Sequence, residues 1–141
     1  MKRLKELNGS AAEVEAAFYD ALHRADLEAL MALWADDEEI VCIHPGGARL
    51  IGHAAIRTSW ENILAGGGLH IVPAQLHETH NLMSSVHTVI EGVTNEDGAP
   101  AHLLATNVYV KTPRGWRIVL HHASIAPGGE PADAAGAQIL H

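Results

Sequence analysis

The chain has 141 residues and 48% hydrophobic content, which suits one compact domain burying roughly two-thirds of its unfolded surface. Nine lysines and arginines against 17 aspartates and glutamates leave a net charge of −8, which argues against general binding to phosphate backbones. No apolar run approaches the ~20 residues needed to cross a bilayer, and the single Cys42 excludes an intramolecular disulfide framework and fits a reducing cytoplasm.

Met1-Lys2-Arg3 is not followed by the apolar core of a signal peptide. Ser10 with Glu13 forms a capping box, in which each side chain satisfies an amide left open at a helix start. Behind it Val14, Ala17, Phe18, Ala21, Leu22 and Ala25 recur at helical spacing and leave Glu13, Glu15, Asp20 and Arg24 facing water. Asp26 caps a second helix on which Leu27, Leu30, Met31 and Trp34 repeat. Acidic residues 36–39 end it, Ile40-Val41-Cys42-Ile43 reads as a short buried strand, and Pro45-Gly46-Gly47 breaks the chain. A third helix runs from about His53 to Ala65, with Ile56, Trp60, Ile63 and Leu64 on one face. Gly66-Gly67-Gly68 stops it, because glycine reaches left-handed cap geometry at little cost.

From there the apolar pattern alternates. Candidate strands cover about 69–79, 84–94, 101–111 and 115–125, with turn signals near Asn81, Asp97-Gly98 and Pro113-Arg114-Gly115. Helices followed by an antiparallel meander define an α+β domain over residues 1–125, with three helices packed on one face of a curved, mostly antiparallel sheet. Ala126 to His141, rich in Ala, Gly and Pro, is a tail or an arm docked on a partner subunit.

Three pieces of the chain resemble the nuclear transport factor 2-like superfamily, and within it the SnoaL-like and ketosteroid-isomerase-like proteins. They are Ala25-Asp26-Leu27-Glu28-Ala29-Leu30 leading into Leu33-Trp34-Ala35-Asp36-Asp37; His44-Pro45-Gly46-Gly47 followed by Ile51-Gly52-His53-Ala54-Ala55-Ile56; and the last strand from Gly115-Trp116 to His122-Ala123-Ser124. The resemblance spans about residues 10–125. It implies the cone-shaped, cystatin-like fold of that superfamily, an apolar pocket open at one end, and a homodimer. In the ketosteroid-isomerase-like relatives it implies a base in an Asp-Pro pair, a first-helix tyrosine and a penultimate-strand aspartic acid. At those positions stand His44-Pro45, Phe18 (with Tyr19 one residue off) and Asn107, so steroid isomerisation itself is not expected.

On their own chemistry, three residues form a candidate catalytic group. His44 ends an apolar strand before a sharp turn, where an imidazole with an ordinary pKa of about 6.5 suits proton transfer, or else bonds a carbonyl and shapes the turn. A turn over Thr112 to Gly115 sets Tyr109 opposite Ile118, Asn107 opposite Leu120 and Ala105 opposite His122; an Asp97-Gly98 turn sets Thr88 opposite Asn107. The pocket face then holds Thr88, Asn107, Tyr109 and His122 among apolar neighbours. Asn107 offers an amide to a carbonyl or enolate oxygen, or satisfies the sheet interior. His122 is a second polar contact, or packs at a dimer interface. Phe18, Trp34 and Trp60 lie on apolar helix faces and belong to the core or line the pocket, while Cys42 reads as an inert core thiol.

The 11 histidines, which would turn −8 into +3 if all were protonated, invite a metal reading. His77-Glu78-Thr79-His80 lacks the helical spacing of a zinc motif, and strand alternation turns His77 from His80 and His121 from His122. No metal and no cofactor is expected. The sequence thus points to a cytoplasmic homodimer with a small-molecule pocket, no nucleic-acid or membrane partner, and proton transfer on a carbonyl-containing compound. The alternative is a non-catalytic binding or oligomerisation module like the kinase association domains that share this architecture.

Overall fold

A computed structural model describes residues 9–128 and 131–133. Helix α1 is Ala11–His23, and Ser10 caps it as expected, the Glu13 amide donating to Ser10 Oγ at 3.1 Å; the Glu13 carboxylate accepts from the Ser10 hydroxyl at 3.2 Å instead of from a backbone amide, so only half of the expected capping box is formed. Helix α2, Leu27–Met31, begins at the Asp26 cap, where the Ala29 amide donates to Oδ1 at 3.0 Å. It stops before Trp34 because residues 33–35 pair with the last strand instead. The Ala35 amide donates to the Ile118 carbonyl and the Ile118 amide to the Leu33 carbonyl, each at 2.8 Å.

Strands β1, Val41–Ile43, and β2, Arg49–Ile51, form a small hairpin around Pro45-Gly46-Gly47; β2 carries no sequence signal of its own. Helix α3, His53–Leu64, buries Ile56, Trp60 and Leu64. The four long strands are β3 (Val72–His80), β4 (Ser84–Thr94), β5 (Pro100–Thr112) and β6 (Gly115–Ala126), close to the segments expected from alternation. The sheet runs β2-β1-β6-β5-β4-β3, antiparallel throughout except for the β1–β6 pair. It is curved and does not close. Helices packed on one face make the core from Val14, Phe18, Leu22, Leu30, Trp34, Ile40, Cys42, Ile56, Trp60, Tyr109 and Ile118.

Two registers differ from the expected ones by a single residue. Between β4 and β5 the ladder ends at Thr94↔Pro100, so residues 95–99 form a wider loop, closed by the Asn95 amide on the Ala99 carbonyl at 2.8 Å. That sets His87, not Thr88, opposite Asn107. Between β5 and β6 the expected Tyr109↔Ile118 pair is present, but a bulge follows and Asn107 meets His121. Because side chains alternate, each slip exchanges the faces. His87, Glu91 and His121 point in, and Val86, Thr88 and His122 point out.

Of the segment Ala126 to His141, residues 129–130 and 134–141 lie outside the described residues. Within the described part the Pro131 carbonyl accepts from Gln75 Nε2 at 3.3 Å. Among the described residues no helix is long and apolar enough to cross a membrane.

Candidate functional site

Glu15 and Tyr19 lie one turn apart on α1, within the stripe that carries Val14, Phe18 and Leu22 into the core. Expected to face water, Glu15 is only 8% exposed. Its Oε2 receives three bonds: from Tyr109 OH at 2.7 Å, His87 Nδ1 at 2.9 Å and Asn107 Nδ2 at 3.2 Å. The Tyr19 hydroxyl donates to Glu91 Oε2 at 2.6 Å and accepts from Asn107 Nδ2 at 3.2 Å. Five side chains from three elements are thereby joined around one carboxylate.

The proton positions follow from the chemistry of the partners. A carboxylate only accepts, so the Asn107 amide nitrogen faces Glu15 and Tyr19, and its Oδ1 faces His121. At 2.6 Å the His121 Nδ1 must therefore donate, which leaves its Nε2 as the lone pair. Burial pushes His121 down to about 3, with His44 and His122 adding to the effect, so it stays neutral across physiological pH. Both phenols are held well above their usual range, chiefly by burial. Burial also raises the Glu91 carboxyl, opposed by the Tyr19 bond and reinforced by the charge of Glu15. On its other side His87 Nε2 lies 3.1 Å from Glu78 Oε2 without the alignment of a hydrogen bond.

His44 stands at the other side of the same interior. Its Nε2 is 3.0 Å from Ser59 Oγ, and that hydroxyl spends its one hydrogen on the Ile56 carbonyl at 2.8 Å. The imidazole must then donate from Nε2, so its Nδ1 carries the lone pair. The ring packs edge-on against Trp60 at 4.6 Å between centroids, and burial lowers its proton affinity. Trp60 in turn meets Phe18 at 5.8 Å and His121 at 5.9 Å. Beside them Cys42 is a buried thiol pushed up to about 12 by burial, an unreactive state.

Of the residues singled out from sequence, His44, Asn107, Tyr109, Phe18, Trp34 and Trp60 belong to this interior. His122 and Thr88 do not. The bulge in β6 and the wider β4–β5 loop turn both onto the exposed outer face. Asn107 also differs from its expected role, because both of its donor directions are already engaged by Glu15 and Tyr19. Sequence reasoning missed Glu15, His87, Glu91 and His121. For Glu15 a signal existed, since it lies four residues after Ala11 and three before Phe18, inside the apolar stripe. For the strand residues the only signal was the register. Among the described residues no three His, Cys, Asp or Glu side chains are placed to share a metal ion.

The sequence profile of the SnoaL-like domain family matches residues 12–127. Among solved structures, a candidate calcium/calmodulin-dependent protein kinase type II association domain from Thiobacillus denitrificans is 36% identical. It aligns over 84% of this chain and 96% of its own, with a TM-score of 0.77. A candidate dehydratase of the nuclear transport factor 2-like family from Streptomyces avermitilis is 29% identical over 83% and 94% of the two chains, with a TM-score of 0.75. The F-box protein SKIP8 of Arabidopsis thaliana is 27% identical over 79% of this chain; the match spans 48% of that protein's length.

Proposed function

The chain belongs to the SnoaL-like domain family, and from that membership we propose that it is a small-molecule pocket protein moving a proton on a carbonyl-containing compound, as in isomerisation, cyclisation or dehydration. The observation that carries the reading is the state of His44. The bond sequence His44–Ser59–Ile56 leaves its Nδ1 as a lone pair, and burial keeps the ring neutral, which is the form of a general base. Trp60 supplies an apolar wall beside it and is itself backed by Phe18. Asn107 acts as a positioning residue that holds the Tyr19 hydroxyl. The candidate dehydratase among the similar structures is consistent with this chemistry.

The test is exchange of the α-hydrogens of cyclohexanone with D2O, followed by proton NMR. His44→Ala is expected to slow exchange about 10²–10⁴-fold while the half-buried position keeps the fold intact; unchanged exchange removes His44 from the mechanism. A second reading, a non-catalytic binding or association module, is favoured by the 36% identity to a candidate association domain and by the engaged donors of Asn107. In that case the wild-type protein itself does not accelerate exchange.

We also infer a homodimer across the outer sheet face, where Leu104, 44% exposed, and Val86, 37% exposed, share the surface with Val108, Leu120, Thr88 and His122. Leu104→Glu is expected to convert the dimer to a monomer by light scattering. A wild-type mass of one chain, or a dimer unaffected by the substitution, excludes this face.

A further inference from the structure

His87 carries one atom that the buried network does not engage. Its Nδ1 donates to Glu15 Oε2 at 2.9 Å, because a carboxylate oxygen only accepts. Nε2 is then a lone pair on a fully buried ring, and no described residue bonds it. A second carboxylate stands beside it: Glu78 Oε2 is 3.1 Å away and off the axis of the ring nitrogen. Two lone-pair atoms at that distance repel unless a positive charge lies between them. A shared proton would line the nitrogen up with the oxygen, and the two are not so aligned. A metal ion asks for the other geometry, in which both atoms aim at the ion and neither at its neighbour. Ligands about 2.0–2.2 Å from a zinc ion stand about 3.0–3.5 Å from each other. The bond to Glu15 completes the pattern, since an imidazole that ligates a metal is oriented by an acceptor on its other N–H.

Glu78 pairs with His87 across the β3–β4 ladder, and His80 pairs with Ser85. Residues 78 and 80 on β3 and 85 and 87 on β4 therefore share the inner face, with His80 diagonal to His87. Diagonal neighbours lie about 7–8 Å apart, within the reach of two imidazoles on one ion. Among the described residues no three such side chains already converge, and His80 is the one that has to turn. It is exposed, and its ring makes no hydrogen bond to a described residue, so nothing holds it. Glu78, His80 and Ser85 line one cavity of about 410 Å³, which also reaches Trp116 and the first residues of α1, Ala11 and Ala12. Among the described residues no lysine or arginine lines it. The open amides of a helix start suit an oxygen ligand, so the cavity offers an ion a fourth partner, a water or a carboxylate.

We propose that His87 Nε2, Glu78 Oε2 and His80 form a site for a divalent metal ion of the zinc class, with a fourth position open to this cavity. Two imidazoles and one carboxylate make an open tetrahedral zinc site, and the nitrogen donors favour zinc over magnesium or calcium. The site lies beside the start of α1, with His44 on the other side of the interior, and it does not depend on the proton-transfer reading. Strand alternation, which separates His77 from His80, is what brings Glu78 and His80 to one face.

The experiment is zinc titration of the full chain by calorimetry, with nitrogen-15 NMR of the histidine rings. One tight zinc ion per chain is expected, moving the His87 Nε2 signal and one His80 ring signal while His87 Nδ1 keeps its proton. Glu78→Gln and His80→Ala are each expected to weaken that zinc at least about tenfold. His23→Ala, which removes the exposed His23–His70 pair with Nδ1 atoms 3.0 Å apart, is expected to leave it unchanged. Excess magnesium should not displace it. Binding by exposed histidines only would move rings other than His87, or vanish in His23→Ala, and either result overturns the proposal. So does an affinity unchanged in Glu78→Gln or in His80→Ala, displacement by magnesium, or the absence of a tight equivalent. Should either variant fail to fold, the ring signals of the wild type decide alone.

Discussion

Glu15→Leu is expected to lower stability by about 3–5 kcal/mol, because a shape-filling apolar side chain leaves three buried donors without their acceptor. Tyr109 OH, His87 Nδ1 and one Asn107 hydrogen all end on Glu15 Oε2, and none has water to replace it. A thermal scan should show the midpoint falling by about 10–20 °C. Glu15→Gln separates charge from hydrogen bonding. Its carbonyl oxygen can occupy the place of Oε2 and keep the three donors satisfied, so a loss of about 1–2 kcal/mol is expected. A leucine variant within about 1 kcal/mol of wild type would show that the network contributes specificity of packing rather than stability.

The second large effect is expected at Gly68, where α1 and the end of the α3–β3 connection touch. A Cβ there would lie 1.9 Å from the His23 carbonyl oxygen and 2.8 Å from its carbon, both backbone atoms that cannot swing aside. The adjacent Leu69 amide donates to the Leu22 carbonyl at 2.9 Å, which pins the two segments together. Gly68→Ala must break that contact, at a cost of about 3 kcal/mol or more. Gly66→Ala, two residues earlier, meets nothing within 4 Å and should stay within about 0.5 kcal/mol of wild type in denaturant titration. Equal effects at the two glycines would show that the connection relaxes freely.

The elements were legible because each carries a local signal. Ser10 and Asp26 cap helices by short-range bonds, and the long strands alternate over more than eight residues. The candidate site was only half legible. His44 and Asn107 could be singled out because a strand end and a spacing from Gly115 mark them, and both lie in the interior described above. His87, Glu91 and His121 depend on loop width and on one bulge, neither of which leaves a mark in the sequence, and a single-residue slip exchanges the whole face. Thr88 and His122 stood in their places for that reason. Glu15 was misplaced because a charged residue was assigned to water by type, although its position put it in the buried stripe.

The parallel pairing of β1 with β6, together with the bonds from residues 33–35 to Ile118, ties the first third of the chain to its last strand. On a ribosome, α1, α2 and the β1–β2 hairpin emerge long before the strand that completes them. Until residues 115–122 are synthesised, Cys42 has no neighbour on one side and the apolar faces of Trp34 and Trp60 have no sheet to close on. Folding must therefore wait for nearly the whole domain, with a closure of some 80 residues between partners, the kind of long-range pairing that slows folding and lengthens the interval of exposure to chaperones.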